Sequence, residues 1–201
     1  MLIWYLARGA GISAFAALSL ATAAGALTAR RTASVDGRVI TQYVHRAAAL
    51  AGMLLLGLHL SMVLLDSYAK VGLGAIVPFA STYRPIAVTF GLLSTYLLVA
   101  VAASGLLRAR FAASARGARV WRRIHLASYG AWVMSAWHFL LAGTDAAQWW
   151  ARLVLLGGVA VVGAAATVRL IDWQPGVRTA APQAVPQAAP ASTRQPVGAR
   201  R

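Results

Sequence analysis

Four histidines carry the chemistry this chain could do. His45 and His59 stand fourteen positions apart within YVHRAAALAGMLLLGLHL. His125 and His138 stand thirteen apart within RRIHLASYGAWVMSAWHF. Both stretches are otherwise apolar. An ionisable side chain inside an apolar span is costly and marks a functional position. Imidazole is a metal ligand, and two pairs with near-equal spacing suit two cofactors stacked one above the other.

The composition says where such a stack would sit. Of 201 residues, 60% are hydrophobic and 11% charged, against roughly 25% charged in a soluble domain. Mean hydropathy is +0.67. This is the balance of an all-α membrane protein with several spans. The absence of cysteine excludes disulfides, thiolate metal sites and iron–sulfur clusters. A formal net charge of +15 could suggest nucleic acid, but the arginines flank apolar spans rather than lining one polar face. No nucleic-acid partner is expected; the bilayer is.

Five transmembrane helices are expected. The first covers about residues 2–27. A cleavable signal peptide competes with it, since ALTA precedes Arg30. The apolar part is long for a signal, however, and no basic cluster leads it, which favours a retained helix. The second covers about 43–65. The third covers 85–107, with Pro85 in the first turn, where its missing N–H costs nothing. The fourth covers about 121–141 and is followed by a turn at Gly143, Thr144 and Asp145. The fifth covers about 149–171 and opens on a Trp pair suited to the interface. Residues 1–172 are thus read as one transmembrane domain. Residues 173–201, rich in Pro, Ala, Gln and Arg, form a disordered cytoplasmic tail, because such a composition cannot bury a core. The apolar, Gly- and Pro-punctuated loop over 66–84 would dip into the interface or form a short helix on the bundle.

Fifteen basic residues fall in, or at the span ends beside, the segment between spans one and two, the segment between spans three and four, and the tail. Arg8, Lys70, Arg84 and Arg152 fall on the other side. The positive-inside rule then places the amino terminus outside and the carboxyl terminus in the cytoplasm of a multi-pass cell-membrane protein.

With that orientation, spans two and four both run outward. His45 and His125 share one depth, and His59 and His138 share another. Their separations correspond to rises of about 21 and 19.5 Å. A b-type haem held by one imidazole from each helix fits at each tier. Fourteen residues return to within about 40° of the same face, but thirteen leave about 140°. Span four must therefore be distorted, or the two cofactors rotated about the bundle axis. A single membrane histidine often serves only core hydrogen bonding or a proton relay. Zinc would lack a third and fourth ligand.

Two histidine pairs so spaced on alternate helices resemble the transmembrane domain of the ferric reductase and NADPH oxidase superfamily. The haem-binding subunit of the bacterial methionine sulfoxide reductase system belongs to the same group. The resemblance covers about residues 1–172. It implies two b-type haems, with His45 and His125 on the inner iron and His59 and His138 on the outer one. NADPH oxidases carry an extra leading helix and a flavin and nicotinamide domain. Here no Gly-rich dinucleotide fingerprint occurs. Electrons would then come from a separate cytoplasmic flavin reductase or a quinol. They would leave to ferric iron, oxygen or an extracytoplasmic redox partner.

Haem propionates need cations. Arg46, Arg122 and Arg123 lie at the depth of the inner haem, and Arg8 and Arg84 near the outer one. Topology, lipid anchoring and snorkelling are the alternative roles for these arginines. Tyr43, Tyr129, Trp132, Trp137 and Phe139 surround the ligands as haem packing or plain core. Gly52, Gly57, Gly91, Gly105, Gly130, Gly157, Gly158 and Gly163 are read mainly as helix-packing positions. The expected function is transmembrane electron transfer. The rival class is a non-redox helical scaffold or transporter subunit with a buried histidine network.

Overall fold

A computed structural model describes residues 2–28, 34–67, 70–72 and 76–173 of the chain. The expected tail was to begin at residue 173, yet Trp173 still belongs to the last helix; its residues 174–201, with Arg30 and Arg31, lie outside the described residues. Among the described residues every regular element is a helix. These are α1 (Leu2–Thr28), α2 (Val35–Leu65), α3 (Pro85–Leu106), α4 (Arg108–Ala112), α5 (Ala115–Ala142) and α6 (Trp149–Trp173).

Four of them, α1, α2, α3 and α6, are long and apolar enough to cross a membrane. At 1.5 Å per residue the 27 residues of α1 measure about 40 Å, against a hydrocarbon core of about 30 Å. The helix expected as the fourth of five spans is α5. It is long enough, at 28 residues, but it is not among those four. Arg116, Arg119, Arg122 and Arg123 load its first turns. His125, Ser128, Tyr129, Ser135 and His138 dilute the remainder.

Helix starts follow side-chain chemistry as well as hydropathy. The second span was expected from residue 43, yet α2 begins at Val35, because Ser34 Oγ accepts the Gly37 N–H at 3.1 Å. The fourth was expected from residue 121, yet α5 begins at Ala115, because Ser114 Oγ accepts the Gly117 N–H at 3.0 Å. Each hydroxyl satisfies a donor that the first turn leaves open. α3 starts as expected, with Pro85 in its first turn. Arg84 before it sits in the left-handed region, at φ 42°.

α1 is the centre of the bundle. Ala7, Ala10, Ala14, Ala21, Ala23, Ala24 and Ala26 are all buried. Their small side chains let α2 and α6 lie close against it. Gly52 of α2 meets Leu18, and Gly158 of α6 meets Phe15 and Ser19. α3 packs on α5. The bundle is therefore two helix pairs, α1–α2 and α3–α5, with α6 against α1. Over its described part the loop before α3 holds Gly72 in a 3-10 turn and is otherwise turns and bends. It is fastened to α3 by the Phe79 N–H on Thr89 Oγ1 at 2.8 Å and by Tyr96 on the Ile76 carbonyl.

Candidate functional site

The four histidines meet in the two pairs that their spacing suggests. The His45 and His125 ring centroids are 6.0 Å apart, with planes at 66°. Those of His59 and His138 are 6.2 Å apart, with planes at 74°. One ring of each pair comes from α2 and the other from α5. These two helices do not pack together as α1 and α2 do; their rings face each other across a gap. Among the described residues no large side chain is fully buried.

Three of the imidazoles are anchored in the same way. His45 Nδ1 lies 2.7 Å from the Ala21 carbonyl, His59 Nδ1 2.7 Å from that of Ala7, and His138 Nδ1 2.7 Å from that of Ala87. A carbonyl oxygen accepts, so each Nδ1 carries the proton and each Nε2 is left free as a ligand. The acceptor lies on a neighbouring helix in every case, α1 for the α2 rings and α3 for His138.

Each acceptor is followed four residues later by glycine, and that spacing has a steric cause. A Cβ on Gly11 would stand 2.8 Å from His59 Nδ1, one on Gly25 3.0 Å from His45 Nδ1, and one on Gly91 2.7 Å from His138 Nδ1. The residue four positions on lies directly above the carbonyl on the helix face. Only its missing side chain opens the path to the oxygen.

His125 differs. Its ring stacks on Trp121, with centroids 4.8 Å apart and planes at 22°. Its Nδ1 is buried with no hydrogen-bond partner among the described residues, as is Trp121 Nε1. The Arg108 guanidinium lies 5.3 Å from the Trp121 ring. Arg169 of α6 reaches the Tyr129 hydroxyl at 3.2 Å.

The expected cation positions fare unequally. Arg46, Arg122 and Arg123 are exposed on α2 and α5. Arg8 does not stand open: it forms an ion pair with Asp145, donating from Nε at 2.7 Å, with side chains 28% and 15% exposed. That pair ties α1 to the turn after α5. Arg84 donates from Nη1 to the Leu141 carbonyl at 2.8 Å, closing the end of α5. Among the aromatics, Phe15 packs on Trp132 and Phe139 between the two tiers, at 5.9 and 5.4 Å. Trp132 Nε1 donates to Ser19 Oγ at 2.8 Å. Tyr43 and Trp137 are exposed. Gly57, Gly105, Gly130, Gly157 and Gly163 have nothing within 4 Å of a built Cβ.

The sequence reading missed Gly11, Gly25, Arg108 and Arg169. The signal for the glycines was an internal repeat. Gly11 and Gly91, Gly25 and Gly105, Ser34 and Ser114, Gly37 and Gly117, and His45 and His125 each lie eighty positions apart. Ala7 and Ala87 share that offset. His59 and His138 lie seventy-nine apart, so the second copy is one residue shorter between its histidines. Each copy is one helix with glycines at the brace positions followed by one helix with the ligands.

Comparison with protein-family models, with curated proteins and with solved structures gave no match.

The geometry limits what could be bound. Among the described residues no three His, Asp or Glu side chains converge on a point. Each pair brings together two imidazoles, one from each helix, with centroids 6.0 and 6.2 Å apart. Two metal–imidazole bonds of about 2.0 Å, with about 1.1 Å from nitrogen to ring centroid at either end, span about 6.2 Å. The observed 6.0 and 6.2 Å match that span. A metal with only two protein ligands must bring its equatorial ligands with it, as the iron of a porphyrin does. The site fits bis-imidazole haem.

Proposed function

We propose that the chain holds two bis-histidine b haems and carries electrons across the membrane. In this reading α5 also crosses the membrane, as the fourth of five spans, the amino terminus is outside and the carboxyl terminus is cytoplasmic. His45 and His125 hold the inner haem, and His59 and His138 the outer one. The single observation behind it is the paired ring separation of 6.0 and 6.2 Å. The anchored Nδ1 atoms add to it by leaving Nε2 as the free nitrogen.

A bis-imidazole haem supplies reversible one-electron transfer at iron. The chain's own residues do the rest. The Ala7, Ala21 and Ala87 carbonyls fix tautomer and ring orientation and raise the basicity of three ligands. Gly11, Gly25 and Gly91 keep those bonds reachable. Arg108, with Arg46, Arg122 and Arg123, supplies positive charge at the inner end for propionates. Arg8 is already neutralised by Asp145 and serves the outer end as a tie. Phe15, Trp132 and Phe139 fill space between the tiers and exclude water. The donor is a cytoplasmic flavin reductase or a quinol, and the acceptor is ferric iron, oxygen or a partner redox protein.

The test is the visible spectrum and haem content of the purified chain. A reduced-minus-oxidised b-type spectrum with two haems per chain is expected. A folded, colourless protein after expression with ample haem would overturn the reading and favour the non-redox histidine network. Within the redox class, reduction of the haems by quinol alone selects the quinol donor.

A further inference from the structure

The unbraced histidine points to a function that simple electron relay does not require. The repeat assigns each imidazole an acceptor. Ala21 serves His45, and eighty positions on stands Val101, followed four residues later by Gly105 as Ala21 is by Gly25. The brace for His125 would therefore be the Val101 carbonyl, and Gly105 has no atom within 4 Å of a built Cβ. Yet that carbonyl is taken. Ser104 Oγ donates to it at 2.7 Å, and Ser104 is 4% exposed. At the matching place in the first copy stands Ala24, which has no hydroxyl. A helical carbonyl has two lone pairs, one used by the N–H four residues on. The serine uses the other, and His125 Nδ1 is left buried without a partner among the described residues. The shorter second copy adds to this, because His138 already takes its brace from Ala87.

We infer that His125 is a dissociable ligand, and that its side of the inner haem is an exchange site for a neutral diatomic such as carbon monoxide. This rests on the haem assignment above. An imidazole stacked on Trp121, with no carbonyl brace among the described residues, is less basic and freer to rotate than one held by a carbonyl. In the exchange the iron–Nε2 bond of His125 breaks and an iron–carbon bond forms. No electron is transferred, and His45 remains on the opposite face.

The experiment uses the full chain, reduced with dithionite and titrated with carbon monoxide. Haem content is measured first, and a chain without haem refutes the assignment rather than this inference. With two haems present, one carbon monoxide per chain is expected. Ser104→Ala frees the Val101 carbonyl for His125 and should weaken carbon monoxide binding about tenfold. Ala24→Ser places a competing hydroxyl beside the Ala21 carbonyl, loosens His45, and should strengthen binding by a similar factor. Movement of either variant in its stated direction supports the inference. A two-haem protein that binds none or two overturns it. So does binding that both variants leave unchanged or shift the opposite way.

Discussion

Replacing Gly91 by alanine tests the brace directly. The new Cβ would stand 2.7 Å from His138 Nδ1, 2.8 Å from Cε1 and 3.0 Å from Cγ, where ordinary contact begins at 3.4 Å. The ring must withdraw by about 0.7 Å, the difference between 3.4 and 2.7 Å. A withdrawal of that size stretches the 2.7 Å bond to the Ala87 carbonyl beyond hydrogen-bond range. The loss is about 0.5–1.5 kcal/mol for the bond and about 1–3 kcal/mol for the crowding. Alanine returns about 0.5–1 kcal/mol through its better helix propensity. The balance is a destabilisation of about 0.5–4 kcal/mol, or on the order of 5 °C in Tm for a domain of this size. Cofactor affinity should fall about 10–100-fold, as it does when a ligand loses its orienting partner. Gly57→Ala is the control, since nothing lies within 4 Å of its built Cβ; it should melt at or above the parent temperature. The assay is thermal unfolding in detergent, with haem content measured on the same samples. A Gly91→Ala protein that melts like Gly57→Ala and keeps both haems would refute the reasoning.

Other outcomes follow from the same geometry. His59→Ala or His138→Ala should each leave one haem per chain by pyridine haemochrome assay; two retained haems would break the assigned pairing. Arg8→Gln leaves the Asp145 carboxylate, 15% exposed, without its cation. It should cost up to about 3–5 kcal/mol, with part regained in Arg8→Gln/Asp145→Asn. Equal melting of the single and double variants would count against the pair as a tie. Ser34→Ala and Ser114→Ala should each lower stability by about 1 kcal/mol, because each hydroxyl caps a helix. An unchanged Tm in both would deny the caps a role.

Much of the helical layout was legible in the sequence, because apolar runs bounded by arginine and glycine leave few other solutions. The starts of α2 and α5 were less so. Hydropathy rises only near Tyr43 and Trp121, whereas the helices begin at the Ser34 and Ser114 caps. Those caps are readable as serine followed by glycine three places on. The pairing of His45 with His125 and of His59 with His138 was readable from depth alone. The braces were not, since a backbone carbonyl leaves no trace in the residue it belongs to. By sequence Gly91 reads as a packing position, and nothing local to Gly11 or Gly25 marks them. The eighty-residue offset would have exposed all three. Arg8 and Asp145 lie 137 positions apart, and nothing local to either announces the other. The angular mismatch of thirteen residues gave two options, distortion of the helix or rotation of the cofactors. α5 is an unbroken helix, and the one imidazole without a brace lies on it.

Anchoring a side chain to another helix's main chain has a genetic consequence. Every residue type at Ala7, Ala21 or Ala87 presents the same carbonyl except where the helix itself is broken, so mutation there cannot delete the acceptor. Heritable variation reaches these three anchors through the glycine one turn on, or through a hydroxyl introduced three residues on, as Ala24→Ser would do at Ala21. At Val101 it also acts through a neighbouring hydroxyl that a single codon change could add or remove. Three of the four grips are thus buffered against drift, and the fourth is left adjustable.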